Sequence, residues 1–80
     1  MTLSELKPGK LAFVKHIDNS SETQGLINRL EGMGIIPNKP IMVLRQAWFG
    51  GPLHVRVGST TEIAIRHQEA QTIHLQALEV

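Results

Sequence analysis

Four histidines, His16, His54, His67 and His74, have the widest chemical reach in this chain, because a neutral imidazole is a borderline-soft ligand for iron or zinc. Their spacing matches neither H-x-H nor H-E-x-x-H. His67 and His74 stand on either side of a short turn with Glu69 nearby, and these three are the closest the sequence comes to a ligand set. Strand patterning places the histidines toward solvent, so neither a dedicated metal site nor a cofactor is expected. The glutamates at 5, 22, 31, 62, 69 and 79 are dispersed and define no carboxylate pair. The absence of cysteine removes disulfides, thiolate ligands and Cys-based catalysis.

Nucleophilic and phosphate chemistry fare no better. There is no G-x-S-x-G turn, and the pairs Gly32/Gly34 and Gly50/Gly51 belong to turns that lack the strand-to-helix setting of a phosphate loop. A domain of this size also has little volume for a substrate pocket. No catalytic residue is expected.

Trp48 and Phe49 are the sharper signal. They stand beside Gly50, Gly51 and Pro52 in the least solvent-compatible loop of the chain. Exposed aromatics on such a loop can anchor a partner; alternatively they fold back to cap one end of a barrel. Stacking on nucleic-acid bases needs a positive groove, and only Arg45 and Arg56 are obvious companions. Eight Lys and Arg against seven Asp and Glu give a formal charge of +1, with the signs interspersed, which argues against affinity based on phosphate neutralisation.

The elements that must position these residues follow from periodicity. Eighty residues with 41% hydrophobic and 19% charged side chains suit one domain, 1–80, with one core. No apolar run reaches the roughly twenty residues of a membrane span, and no secretion signal is visible, so a cytoplasmic protein is expected. The organising stretch is Ser21–Leu44. Leu26, Ile27, Leu30 and Met33 make one apolar helical face; Glu22, Asn28, Arg29 and Glu31 lie toward water. Ser21 is the expected N-cap with Gln24 returning the bond, and Gly32, Gly34 and Pro37 end the helix.

Strands are expected over Lys10–Ile17, Ile41–Ala47, Leu53–Val57, Glu62–Arg66 and Thr72–Leu78. In the first, Ala12 and Val14 point one way, and Leu11 and Phe13 the other, toward the N-terminal turn or the helix. Leu3 and Leu6 make a short helical turn at the start, and His67–Ala70 makes another before the last strand. Ile35 and Ile36 anchor the helix exit, and Asn38 takes a tight bend that tolerates positive φ. The expected fold is mostly β: a small barrel of about five antiparallel strands with one α-helix after the first.

The segments L-S-E-L-K-P-G-K, A-F-V-K-H-I, R-L-E-G-M-G-I-I-P-N-K-P-I, G-G-P-L-H-V-R-V-G and I-A-I-R-H-Q-E-A-Q-T-I-H-L, in that order, resemble the ferrous iron transport protein A family. These are soluble accessory proteins of the bacterial ferrous iron permease, a large GTP-binding membrane protein. Arg29 and Leu30 fall on the family's helix motif, Gly34 and Pro37 on its turn, Pro52 on its hairpin, and Arg66 and Ala70 on its closing element. Met33 stands where leucine is commoner, Asn38 where glycine is usual, and Gly51 where aspartate is frequent.

The resemblance implies an SH3-like barrel and a non-catalytic role in iron uptake through contact with the permease's cytoplasmic part, without direct DNA binding. The expected contact surface is the helix exit and the aromatic loop, with Leu26, Arg29, Met33, Ile36, Trp48 and Phe49 as candidates. Two other readings stay open: an iron-responsive sensor or chaperone using His67, Glu69 and His74, and an SH3-like adaptor for another protein or nucleic acid. The fold is also similar to the C-terminal domain of iron-dependent repressors. No helix-turn-helix region precedes it here, so a free-standing repressor is not expected.

Overall fold

In the computed structural model, residues 1–19 and 24–76 are described. A 3-10 turn at Leu3–Glu5 leads into β1 (Leu11–Ile17), α1 (Gln24–Gly32), β2 (Pro40–Gln46), β3 (Leu53–Val57), β4 (Thr61–Ile65), the single turn α2 (His67–Ala70) and β5 (Ile73–Leu75). The five strands form one antiparallel sheet in the order β4-β3-β2-β1-β5. The expected five-stranded antiparallel sheet is thus present. Among the described residues its end strands β4 and β5 do not pair, so it is not a closed ladder. The outer edge of β5 is covered from the N-terminal segment instead: Thr2 bridges to His74, and Leu75 N–H donates to the Met1 carbonyl at 2.9 Å.

The helix packs as its spacing predicts. Ile27 and Leu30 are buried, and Leu26 and Met33 are partly buried against the core cluster that Leu30 joins. Its end is a Schellman motif built on Gly34, which sits at φ 93°. Gly34 N–H donates to the Glu31 carbonyl at 2.9 Å and Ile35 N–H to the Leu30 carbonyl at 3.0 Å. The accompanying apolar contact places Ile35 and Leu30 in one core cluster. Ile35 is therefore the anchor, whereas Ile36 stays 42% exposed. The expected N-cap Ser21 lies outside the described residues.

The outward face of β1 departs from expectation. Leu11 and Phe13 are 49% and 39% exposed. The N-terminal turn or the helix is expected to cover them, but Leu3, Leu6 and Leu30 all join the cluster on the Ala12 and Val14 side.

Strand limits differ by a residue or so. β2 begins at Pro40, a position open to proline because the strand's first residue pairs through its carbonyl, which accepts from Gly58 N–H at 2.8 Å. β4 begins one residue early, at Thr61. Residues 77–80 of the expected last strand lie outside the description.

Two ladder irregularities were not anticipated. Between β1 and β5, Val14 opposes Leu75 and His16 opposes His74, so Lys15 is an extra, unpaired residue. Between β2 and β3, Val43 opposes Val55 and Arg45 opposes His54, which makes Leu44 the extra one. Each bulge resets which side chains face out.

Candidate functional site

The β2–β3 connection is a tight hairpin. Ala47 N–H donates to the Pro52 carbonyl at 3.1 Å and Gly51 N–H to the Trp48 carbonyl at 3.2 Å. Phe49 and Gly50 both take left-handed backbone, φ 58° and 70°. That conformation is costly for a bulky residue such as Phe. Gly51 is required for a different reason: a Cβ there would lie 2.7 Å from the Ala47 Cβ. The loop so formed holds Trp48 87% exposed and Phe49 fully exposed. The reading in which Trp48 caps the sheet is not the one adopted, since a ring lying on the core would be covered. Two adjacent aromatic rings in water at a hairpin tip are a feature of recognition surfaces.

Beside this tip runs a groove of about 730 Å³ between the hairpin and α2, bordered by Arg29, Gly50, Pro52, Ala64, His67 and Glu69 among others. On the other side of Pro52 and Ala64, a mainly apolar hollow of about 240 Å³ extends to Arg45 and His54. Arg29 thus shares a concavity with the aromatic hairpin, which joins two of the expected contact regions. Leu26 and Met33, partly buried against the core, offer only their outer atoms, while Ile36 is open.

The wall of the groove is held by one carboxylate. Glu69 Oε2 accepts from Arg29 Nη2, and Oε1 accepts from Arg66 N–H at 3.0 Å, satisfying the first backbone donor of α2. Arg29 therefore stands in an ion pair, with half its side chain still in water.

The histidines divide into three settings. His54 lies in a polar network on the outer face, 3.2 Å from Arg45 Nη2 through Nδ1 and 3.5 Å from Glu62 through Nε2. His67, at the start of α2, is half-buried with Nδ1 covered and without a hydrogen-bond partner. His74 stacks on His16, centroids 4.6 Å apart, and lies 2.6 Å from the Asp18 carboxylate. Of the three residues nearest to a ligand set in sequence, Glu69 is engaged by Arg29, and His74 gathers with His16 and Asp18 instead. The H-x-D spacing of residues 16 and 18 was the available signal. It carries no weight while strand patterning alone places the histidines toward solvent, with no partner strand laid beside His16 to bring His74 to it.

Among the described residues no helix is long and apolar enough to cross a membrane. A family model, the FeoA domain, matches residues 1–77.

The chain belongs to the FeoA family.

Solved FeoA proteins share its fold. The iron(II) transport protein A of Clostridium thermocellum is 33% identical with a TM-score of 0.83, over 98% of this chain and 46% of that one. The chain therefore spans less than half of the Clostridium protein. The FeoA of Chlorobium tepidum is 30% identical, TM-score 0.80, over 99% and 71% of the two chains. The FeoA of Stenotrophomonas maltophilia, solved with zinc, is 28% identical, TM-score 0.81, over 95% and 89%. That protein is described as an SH3 domain protein, with a suggested role as a ferrous iron transport activating factor. The curled five-stranded sheet here is the same SH3-like fold. A manganese-dependent transcriptional repressor matches at 20% identity and TM-score 0.82, which carries the fold and no more. No curated protein matches the chain.

Proposed function

We propose that this FeoA-family chain is a non-catalytic accessory of ferrous iron uptake, acting in the cytoplasm by docking on the soluble part of a membrane-embedded iron permease and modulating transport. Family membership supplies the iron-transport setting. The docking reading is carried by one observation: Trp48 and Phe49 stand in water at a hairpin tip, beside a groove that Arg29 and α2 complete. Large rigid aromatics lose little conformational entropy on burial and dominate interface energetics where a neighbouring pocket admits them. The strained left-handed backbone at Phe49 fits the same reading, because a hairpin serving only to reverse the chain has no need of a bulky side chain there.

The test is binding of the purified chain to the permease's cytoplasmic domain, measured by calorimetry with and without guanine nucleotide. Saturable binding that is lost in Trp48→Ala and Phe49→Ala supports the reading. No binding in either nucleotide state, or binding indifferent to both substitutions, removes it.

A further inference from the structure

His16 and His74 are direct cross-strand partners on β1 and β5, and they share a face only because of the extra residue Lys15. In an unbroken strand His16 would point inward with Ala12 and Val14. The bulge turns it outward and sends Ile17 against the core in its place. The two imidazoles then lie 14° from parallel.

Asp18 follows two residues after His16, so an extended chain returns it to the same side. Its N–H donates to the Thr72 carbonyl at 2.8 Å, which fixes the chain there, and its Oδ1 reaches 2.6 Å from His74 Nε2. The contact is an ion-pair distance, and His74 Nε2 is shielded from solvent. A metal ion can take the place of the proton between such a nitrogen and a carboxylate.

One ligand atom each from His16, Asp18 and His74 lies within 4.8 Å of the other two. Neighbouring ligands around an ion held at about 2.1 Å sit roughly 3 Å apart, so the set closes when the two imidazoles turn out of their stack and aim their nitrogens at a common point. We propose that His16, Asp18 and His74 bind a divalent first-row transition-metal ion. Two nitrogens and one carboxylate oxygen select zinc, iron(II), cobalt or nickel over magnesium and calcium, which prefer all-oxygen sets. Three protein ligands on an outer sheet face leave coordination positions open to water or to a donor from another molecule. A concavity of about 330 Å³ borders His16, lined by Ile17, Ile27, Ile35 and Pro37 together with Asn19, Gln24 and Glu31.

The other histidines offer no equal. His54 sits between Arg45 and Glu62, with Arg56 paired to the same glutamate, and two guanidinium groups oppose a cation there. The carboxylate nearest His67 in sequence is Glu69, already taken by Arg29.

The test is anaerobic titration of the full chain with zinc, cobalt(II) and iron(II), followed by calorimetry and by the imidazole resonances of all four histidines. The expected result is one ion per chain, with His16 and His74 resonances shifting while those of His54 and His67 stay. His16→Gln, Asp18→Asn and His74→Gln each weaken binding by about tenfold or more, and His54→Gln and His67→Gln leave it within about twofold. Absence of saturable binding below about 1 mM overturns the proposal. So does a stoichiometry of one ion to two chains, or an equal loss in His67→Gln. The resonance pattern is read on the unaltered chain, so a variant that fails to fold does not blunt the test. Permease docking can fail without touching this result, and the reverse also holds.

Discussion

Arg29 on α1 donates a charge-assisted hydrogen bond to Glu69 on α2, forty positions further along the chain. The same carboxylate accepts Arg66 N–H, and the Glu69 carbonyl accepts both the Thr72 hydroxyl at 2.7 Å and the Thr72 N–H at 3.0 Å. One residue thus ties the helix, the short turn and the approach to the last strand. Because Arg29 is half in water, Arg29→Ala should cost only about 0.5 kcal/mol. Glu69→Ala also strips the first backbone donor of α2 and should cost about 1–2 kcal/mol. Urea denaturation of both variants decides it, and equal losses would show that the carboxylate does not anchor the turn.

Leu30 has no exposed surface and lies in the core cluster with Ile35, its partner in the helix-end motif. Leu30→Ala should lower stability by about 2–5 kcal/mol, a large share for a domain of this size. Ile36→Ala, one residue past the anchor, should stay within about 0.5 kcal/mol. A reversed order in the denaturation midpoints would mean that the helix end is held from the other side.

Phe49 combines an exposed ring with left-handed backbone, so stability and recognition should part company there. Phe49→Gly should leave stability unchanged or raise it by up to about 1 kcal/mol, since glycine adopts that φ without a Cβ clash. Trp48→Ala should change it by less than about 0.5 kcal/mol. Both should weaken partner binding at least about tenfold. A marked stability loss in Trp48→Ala would return the ring to a packing role.

Gly51 is hemmed in by the Ala47 Cβ at 2.7 Å and the Trp48 carbonyl oxygen at 3.2 Å from where its own Cβ would lie. Gly51→Ala should therefore cost about 1–3 kcal/mol through overpacking. The pair Ala47→Gly with Gly51→Ala should recover part of that loss. Thermal melts of the single and double variants provide the comparison, and no recovery would place the strain in the carbonyl contact.

The Glu5 carboxyl is held below its ordinary value of 4.5, first by the Thr2 backbone N–H and then by the Thr2 hydroxyl, both donating to Oε1. A lowered folded-state value favours the ionised form. The contribution to stability is present above about pH 4.5 and is lost as pH falls through the lower, folded-state value. Glu5→Gln should therefore flatten the acid limb of a stability profile between about pH 2 and 5 and take its loss at neutral pH, where the ionised carboxylate contributes. An unchanged acid limb would mean that the Thr2 bonds do not persist in solution.

Much of the architecture was legible because local rules and tertiary packing agree. The apolar stripe of Leu26, Ile27, Leu30 and Met33 marks the helix, Gly34 its left-handed end, and alternation at Leu53, Val55 and Val57 a strand with one buried face. Asn38 takes φ 71°, as its place after Pro37 suggests. What escaped is non-local. The bulges at Lys15 and Leu44 appear only when a partner strand is laid alongside, and period-two reading assumes that neither exists. The solvent exposure of Leu11 and Phe13 depends on the turn and the helix choosing the same side.

The candidate site shows the same division. Composition alone brought out Trp48 and Phe49, and their exposure needed coordinates. The Arg29 and Glu69 pair, like the gathering of His16, Asp18 and His74, joins segments too distant for spacing to reveal.

Lys15 gives the insertion in β1 an evolutionary edge. A relative lacking that single residue would keep His16 outward and Ile17 inward on a regular strand, whereas one of equal length that paired Lys15 would expose the isoleucine and bury the imidazole. Phase along the strand, rather than residue identity, is what a comparison of FeoA chains should score at this position.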